Sequence, residues 1–517
     1  MSADAIVVGS GPSGAHAAKR LLEFGLHVTM LDYGNDAPAL REVIPAGDFE
    51  ELRRTDPGQR AYFLGPASSR FTPPREFVVA DAAQLLPVES QTFAPVQSLA
   101  LGGLGAGWGA GAPTFEPFEL EAAGLPPEEM DRYYDDVVAD VGVSASADDD
   151  TAPYVARRRG AQPPAQLDEN ARSLLEAYAG HRDRLRAQGF ALGHAPLAML
   201  TQARADRGRD ANPYDDMDFY GDARRSIYRP RYTIEELRQH REFTYIGGAL
   251  VREFEERDGV VVVRAERHGE RIVQSARVLV LAAGALNTAR IVLRSQHRAG
   301  ASAPLLCNPM SYLICVNRRM LGRPARGPRH SLAQLMGVFT PAHRAGDRVI
   351  ASLYSYRSLM NFRLVREMPL PLTLGVAAAR LLVTSLTIVA IHHPERSSPN
   401  KTLELDPDGW TLRPRYELSA QERRARDRDC DGIRRALAAI GCVTLRRIDT
   451  PPGSSIHYAG TVRTDGSGKV AACDRVFAAD ASGWKALPAK GLTLTLMANA
   501  RRVASHAARE LLDEVRA

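Results

Sequence analysis

The sharpest contrast between apolar and polar positions lies in the first forty or so residues. Ala5-Ile6-Val7-Val8 is an unbroken apolar run, the pattern of a strand buried on both faces. Residues 15–24 (AHAAKRLLEF) read as a helix packed through small residues, and Gly25 ends it. A second apolar run at 27–31 predicts another strand, which stops at Asp32. The turn between the first strand and the helix is Gly9-Ser10-Gly11-Pro12-Ser13-Gly14.

Strand, glycine turn, helix, strand and terminal acid in this order form a dinucleotide-binding fingerprint. Gly9 suits the tight turn, Gly11 lets backbone approach a pyrophosphate, and Gly14 allows close helix–strand packing. The helix N-terminus offers N–H groups and a positive dipole end to phosphates. Asp32 stands where a carboxylate would take the hydroxyls of an adenosine ribose. This stretch alone leaves FAD and NAD undistinguished.

Beyond Asp32 the pattern changes. Residues 35–97 show no sustained period and read as surface excursions. Residues 99–111 (LALGGLGAGWGAG) are too glycine-rich to pack through side chains, yet Leu, Trp and Ala stand where a flexible linker would have polar residues. A backbone loop laid against a cofactor is the expectation. Helices are predicted at 128–140 and 170–188, with an exposed segment at 145–162. The acidic stretch 206–222 lacks the spacing of a calcium loop and reads as solvated. Residues 260–263 and 277–284 (RVLVLAAG) predict a hairpin and a buried strand ending in glycine, followed by a helix at 287–295. Residues 401–409 predict a hairpin, and 419–440 an amphipathic helix. Arg318, Arg319, Arg323, Arg326 and Arg329 form a basic, solvated loop. Residues 372–391 approach the length of a membrane span. Arg380 near the middle and the change to β-branched residues after Val383 instead predict a buried helix and then a buried strand. A helix at 499–515 closes the pattern.

Composition narrows the class. A chain of 517 residues with 44% hydrophobic and 25% charged residues is an ordinary globular protein of two or more domains. The net charge of +5, from 66 basic and 61 acidic residues, does not argue for nucleic acid. The five cysteines, Cys307, Cys315, Cys430, Cys442 and Cys473, form no CxxC pair, so reduced thiols of a cytoplasmic protein are expected and no metal site. The fingerprint begins within five residues of Met1, so no signal peptide is expected.

The order of these signals resembles the glucose–methanol–choline (GMC) oxidoreductases along the whole chain. GSGPSG comes first, then GGLGAGWGAG, then VLVLAAGALNTARIVLRS, then HYAGT, VFAADAS and GLTLTLMANARRVASHAARELL. The resemblance implies FAD and a Rossmann-like FAD-binding domain built from residues 1–115, 231–300 and 451–517. Residues 116–230 and 301–450 would supply an antiparallel-sheet substrate domain and excursions. By the same likeness Gly9, Gly11, Ser13 and Gly14 hold the pyrophosphate and Asp32 the ribose. Gly102, Gly103, Gly105, Trp108 and Gly109 run along the flavin. Val251, Ala283 and Gly284 lie near adenine, Asp480 and Ala481 near the pyrophosphate and ribityl chain, and Thr493 at the pyrimidine edge. His457 matches the family's catalytic histidine.

Three positions depart from the family. Trp108 stands where Asn is usual, and Gly491-Leu492 replace the usual His or Asn before Pro. Lys490, beside that position, either supplies a polar contact to substrate or flavin, or is a surface lysine at a helix start. The implied activity is oxidation of a hydroxyl of a sugar, polyol or secondary metabolite, with His457 as base. The acceptor would be oxygen or a redox partner. A lyase or isomerase of the same fold is the alternative. Peripheral membrane contact, which requires 372–391 to be exposed, stays open.

Overall fold

The structure is a computed structural model that describes residues 3–36, 73–155, 158–216, 218, 222–297, 300, 302–323, 327–344, 346–355 and 370–516. Arg326 and much of the irregular 35–97 stretch lie outside the described residues. In chain order the main strands are β1 (Ala3–Val8), β2 (Val28–Leu31), β3 (Phe190–His194), β4 (Phe243–Ile246), β5 (Ala249–Arg257), β6 (Val260–Arg267), β7 (Glu270–Leu281), β8 (Met310–Asn317), β9 (Leu335–Phe339), β10 (Val349–Ser355), β11 (Leu386–His392), β12 (Cys442–Asp449) and β13 (Val476–Ala478). The helices that matter here are α1 (Pro12–Glu23), α2 (Pro127–Val141), α3 (Glu169–Ala179), α4 (Ala285–Ser295), α5 (Leu372–Leu382), α6 (Ala420–Ala439) and α7 (Thr493–Arg516).

The fold is mixed α/β, with a largely parallel sheet and separate antiparallel sheets. The seven-stranded sheet has the order β4-β2-β1-β7-β6-β5, and β13 also pairs with β7. Pairings among β4, β2, β1, β7 and β13 are parallel, whereas β7, β6 and β5 form an antiparallel meander. The first strand is apolar throughout its buried part because both faces are covered, α1 and α7 packing through alanines on one side. The six-stranded sheet has the order β12-β8-β11-β10-β9-β3 and is antiparallel throughout. One face of it packs against α3 and α6. By register the other face carries Met310, Tyr312 and Ile314 beside His392, Ala390 and Ile388, then Ile350, Ser352 and Tyr354.

Several expectations need correction. The 170–188 helix is two, since Gly180 and His181 end α3 before a second helix, Arg182–Ala187. The acidic stretch is not simply solvated: Asp218 is buried and accepts from Ser331 N and Asn212 Nδ2. Segment 372–391 is a helix and a strand, but the helix is not buried, for Leu374 and Leu381 are exposed. The last helix begins at Thr493, six residues before the predicted 499, because Gly491 and not Asn499 precedes its first turn. The Lys401–Leu405 hairpin pairs with Leu412–Tyr416, and Ser419 caps α6 with Glu422 in a capping box.

Candidate active site

A cavity of about 370 Å³ runs under the C-terminal ends of the parallel strands. Fingerprint residues Gly9, Gly11 and Ser13 line it, with Asp32, Gly103, Gly105, Trp108, Gly109, Val251, Ala283, Gly284, His457, Asp480, Ala481 and Thr493. Three expected site residues do not: Gly14, Gly102 and Lys490 are absent from its wall.

The glycines are there for contact. Gly9 has φ of 98°, and a Cβ there would meet the Ala282 carbonyl oxygen at 2.6 Å. A Cβ on Gly14 would sit 1.8 Å from the Gly9 carbonyl oxygen, so Gly14 closes α1 onto the turn and does not itself face the cavity. Gly11 caps α1 without a side-chain hydrogen bond, which leaves the first-turn N–H groups without a capping side chain. A side chain at Gly109 or Gly284 would meet nothing within 4 Å.

Asp32 is held more tightly than sequence suggests. Its carboxylate accepts from Ser10 Oγ at 2.5 Å and from Tyr245 Oη at 2.9 Å. Burial nonetheless pushes its pKa up to about 6. Ser10 Oγ in turn accepts from Gly102 N at 2.9 Å, which ties the fingerprint to the glycine-rich loop. Asp480 accepts from Gly284 N, Thr288 Oγ1 and Ser482 N, and so pins the start of α4 to the strand end. The Trp108 indole donates to the Tyr228 carbonyl at 2.8 Å, so its ring walls the cavity with its polar atom turned into the protein.

His457 lines the same cavity as Leu492, Thr493 and Leu496. Its Nδ1 is 3.0 Å from Asn308 Oδ1. Asn308 Nδ2 lies 2.8–3.3 Å from the carbonyls of His393, Leu487 and Pro488, contacts only an amide nitrogen can donate. The oxygen therefore faces His457, Nδ1 carries the proton, and Nε2 is left as an acceptor. His392 stacks on the His457 ring, with centroids 5.2 Å apart and planes 26° from parallel. Burial lowers His457 to about 4 and His392 to about 3, where the neighbouring histidines add to the effect. Both rings are neutral at pH 7. Ile456, next to His457, has φ of 65°, a left-handed conformation that is strained for a β-branched residue.

Lys490 is neither a surface residue nor a cavity residue. Its side chain is fully buried, with Nζ 2.7 Å from Glu119 Oε2 and 3.2 Å from Glu116 Oε2. Glu119 belongs to the short helix Pro117–Ala123, and Glu116 caps it. The ammonium is held by the two glutamates of that helix.

Sequence reasoning missed Ser10, Asn308 and His392. Ser10 was visible inside the fingerprint. Asn308 and His392 follow no motif: the pairing of Tyr458–Ala459 with Leu306–Cys307 brings Asn308 to His457, and the pairing of β8 with β11 sets His392 beside Met310.

No family model and no curated protein matches the sequence. The fold is similar to the crystal structure of pyridoxine 4-oxidase from Mesorbium loti, with a TM-score of 0.57 and 16% identity over 98% of this chain and 99% of that one.

Proposed function

We propose that this chain is an FAD-dependent oxidoreductase of the GMC type that oxidises a hydroxyl group of a small molecule. One observation carries the reading: a neutral histidine, with its tautomer set by Asn308, lines the same cavity as the glycine fingerprint. The similarity in fold to an enzyme named as an oxidase of pyridoxine supports it.

The residues fit the group. The uncapped start of α1 and the close approach of Gly103 to Gly11, where a Cβ would be 3.3 Å from Cα, suit a diphosphate. Asp32 is an acceptor for ribose hydroxyls, and the backbone around Gly109 and Gly284 is open enough for a flat ring. Bound FAD supplies the two-electron sink that side chains lack. His457 Nε2 takes the hydroxyl proton, and Asn308 holds the ring while the imidazolium forms. The N-terminus of the 24-residue helix α7, at Thr493, favours negative charge gathered at that end of the cavity. Lys490 has no part in this scheme.

The test is anaerobic absorbance of the FAD-loaded protein with panels of sugars, polyols and aromatic alcohols. Bleaching by one class supports the reading and names the class. His457→Ala should keep FAD but slow bleaching by roughly 10²–10⁴-fold. Turnover without bleaching would replace oxidation by a lyase or isomerase activity, and failure to bind FAD would end the proposal.

A further inference from the structure

Helix α5 carries its apolar stripe on the outside. Leu374 and Leu381 are 57% and 55% exposed, and Leu370, just upstream, is 45% exposed. Ala377 between them is exposed as well, so positions 374, 377 and 381 form one i, i+3, i+7 face turned to solvent. In a water-soluble domain that face is normally spent on the core. None of the described helices is long and apolar enough to cross a membrane.

The neighbouring loop supplies the second half of the surface. Gly322 N donates to the Leu381 carbonyl at 3.1 Å, and Thr384 Oγ1 to the Arg323 carbonyl at 2.6 Å, so residues 318–323 are fastened to the end of α5. That loop adds Leu321, 43% exposed, and the exposed Arg318, Arg319 and Arg323. Among the described residues these arginines have no carboxylate partner. From Ser302 to Gly346, and again from Leu370 to Pro394, the chain contains no Asp or Glu. A stripe of leucines rimmed by unpaired arginines, with no acid in either segment, matches the chemistry of an anionic lipid surface: acyl chains for the leucines, phosphates for the guanidiniums.

We propose that α5 and the 318–323 loop form a docking surface for an anionic bilayer, on which the helix lies in the plane of the interface. The surface is joined directly to the candidate site. Strand β11 leaves α5 at Leu386 and ends at His392, against His457, about 20 Å away at roughly 3.3 Å per residue.

Flotation of the full chain with vesicles tests this without reference to its chemistry. The two preparations are phosphatidylcholine alone and an equimolar mixture with phosphatidylglycerol. The chain should float with the mixed vesicles, float far less with phosphatidylcholine alone, and be released by salt. Leu374→Glu/Leu381→Glu and Arg318→Glu/Arg319→Glu should each weaken flotation by about tenfold or more. All four side chains are exposed, so an unchanged melting temperature shows that the variants are folded. The proposal is overturned if wild type ignores the mixed vesicles or if the variants float as well as wild type. It is equally overturned if the leucine pair only abolishes self-association, which would assign the face to a second copy of the chain.

Discussion

His457 and Asn308 stand 149 positions apart in sequence and meet at 3.0 Å between Nδ1 and Oδ1. The contact decides which ring nitrogen can act as a base, because the Asn308 amide is itself oriented by three backbone carbonyls. Asn308→Ala should lower the rate of anaerobic flavin bleaching by about 10–100-fold with little change in FAD binding, as the ring loses its tautomer and its hold. Three carbonyls lose a donor, so a stability loss of about 1–3 kcal/mol should accompany it in urea titrations. A normal bleaching rate in a folded variant would remove Asn308 from the account.

Asp32 gives a pH dependence with a definite sign. Its folded pKa of about 6 lies above the unfolded 3.8, so ionised Asp32 costs the cofactor-free fold stability above pH 6, and that cost vanishes as pH falls toward 4. Cofactor affinity should move the other way. Ribose hydroxyls need the carboxylate, so FAD should bind progressively more weakly below about pH 6. Titrations of the apoprotein with FAD across this range, read by flavin fluorescence, check it; a flat profile would show that Asp32 does not take the ribose.

The pair His392 and His457 predicts acid sensitivity. Both folded pKa values are lowered, so between the ordinary 6.5 and about 4 the unfolded chain binds protons that the folded chain refuses. Stability from this source falls as pH drops through that window. His392→Phe removes one such group and should narrow the acid loss by about 1–2 kcal/mol near pH 5, with no benefit of this origin at pH 8. Equal benefit at both pH values would point to packing alone.

Lys490 should behave as a structural cation. Lys490→Met leaves Glu119 buried beside Glu116 and should cost about 3–5 kcal/mol. Adding Glu119→Leu should return most of that, as a double-mutant cycle in urea would show. A Lys490→Met variant of ordinary stability but slow flavin bleaching would restore the lysine to the chemistry.

The glycines make a paired prediction. Gly14→Ala drives a Cβ into the Gly9 carbonyl and should destabilise by at least about 2 kcal/mol or prevent folding. Gly109→Ala meets open space, so its melting temperature should hold while FAD affinity falls.

What could be read from sequence was what is local in sequence. The fingerprint places strand, turn and helix within thirty or so residues, and its glycines carry their steric reasons with them. His457 came with its own neighbours, Tyr458 to Thr461. The burial of Lys490 was not legible because its partners Glu119 and Glu116 lie 371 and 374 positions upstream. The apolar composition of 372–391 predicted a buried helix, but composition could not show whether neighbouring elements cover it, and Leu374 and Leu381 are exposed. Asn308 and His392 have side chains that sequence would assign to any turn or strand end.

The pairing of β13 with β7 has a consequence for how the protein is made. β1 and its partner β2 are close in sequence, but β1's other partner β7 follows more than 260 residues later, and Val476–Ala478 and α7, which packs on α1, follow later still. The ribosome therefore releases the antiparallel sheet's strands while the nucleotide fold is still an open edge. Such long-range closure is slow, and the Leu279–Leu281 end of β7 has to be kept from pairing elsewhere until β13 is made. Yield in a cell should depend on chaperone supply and elongation rate more than on the final stability of the fold.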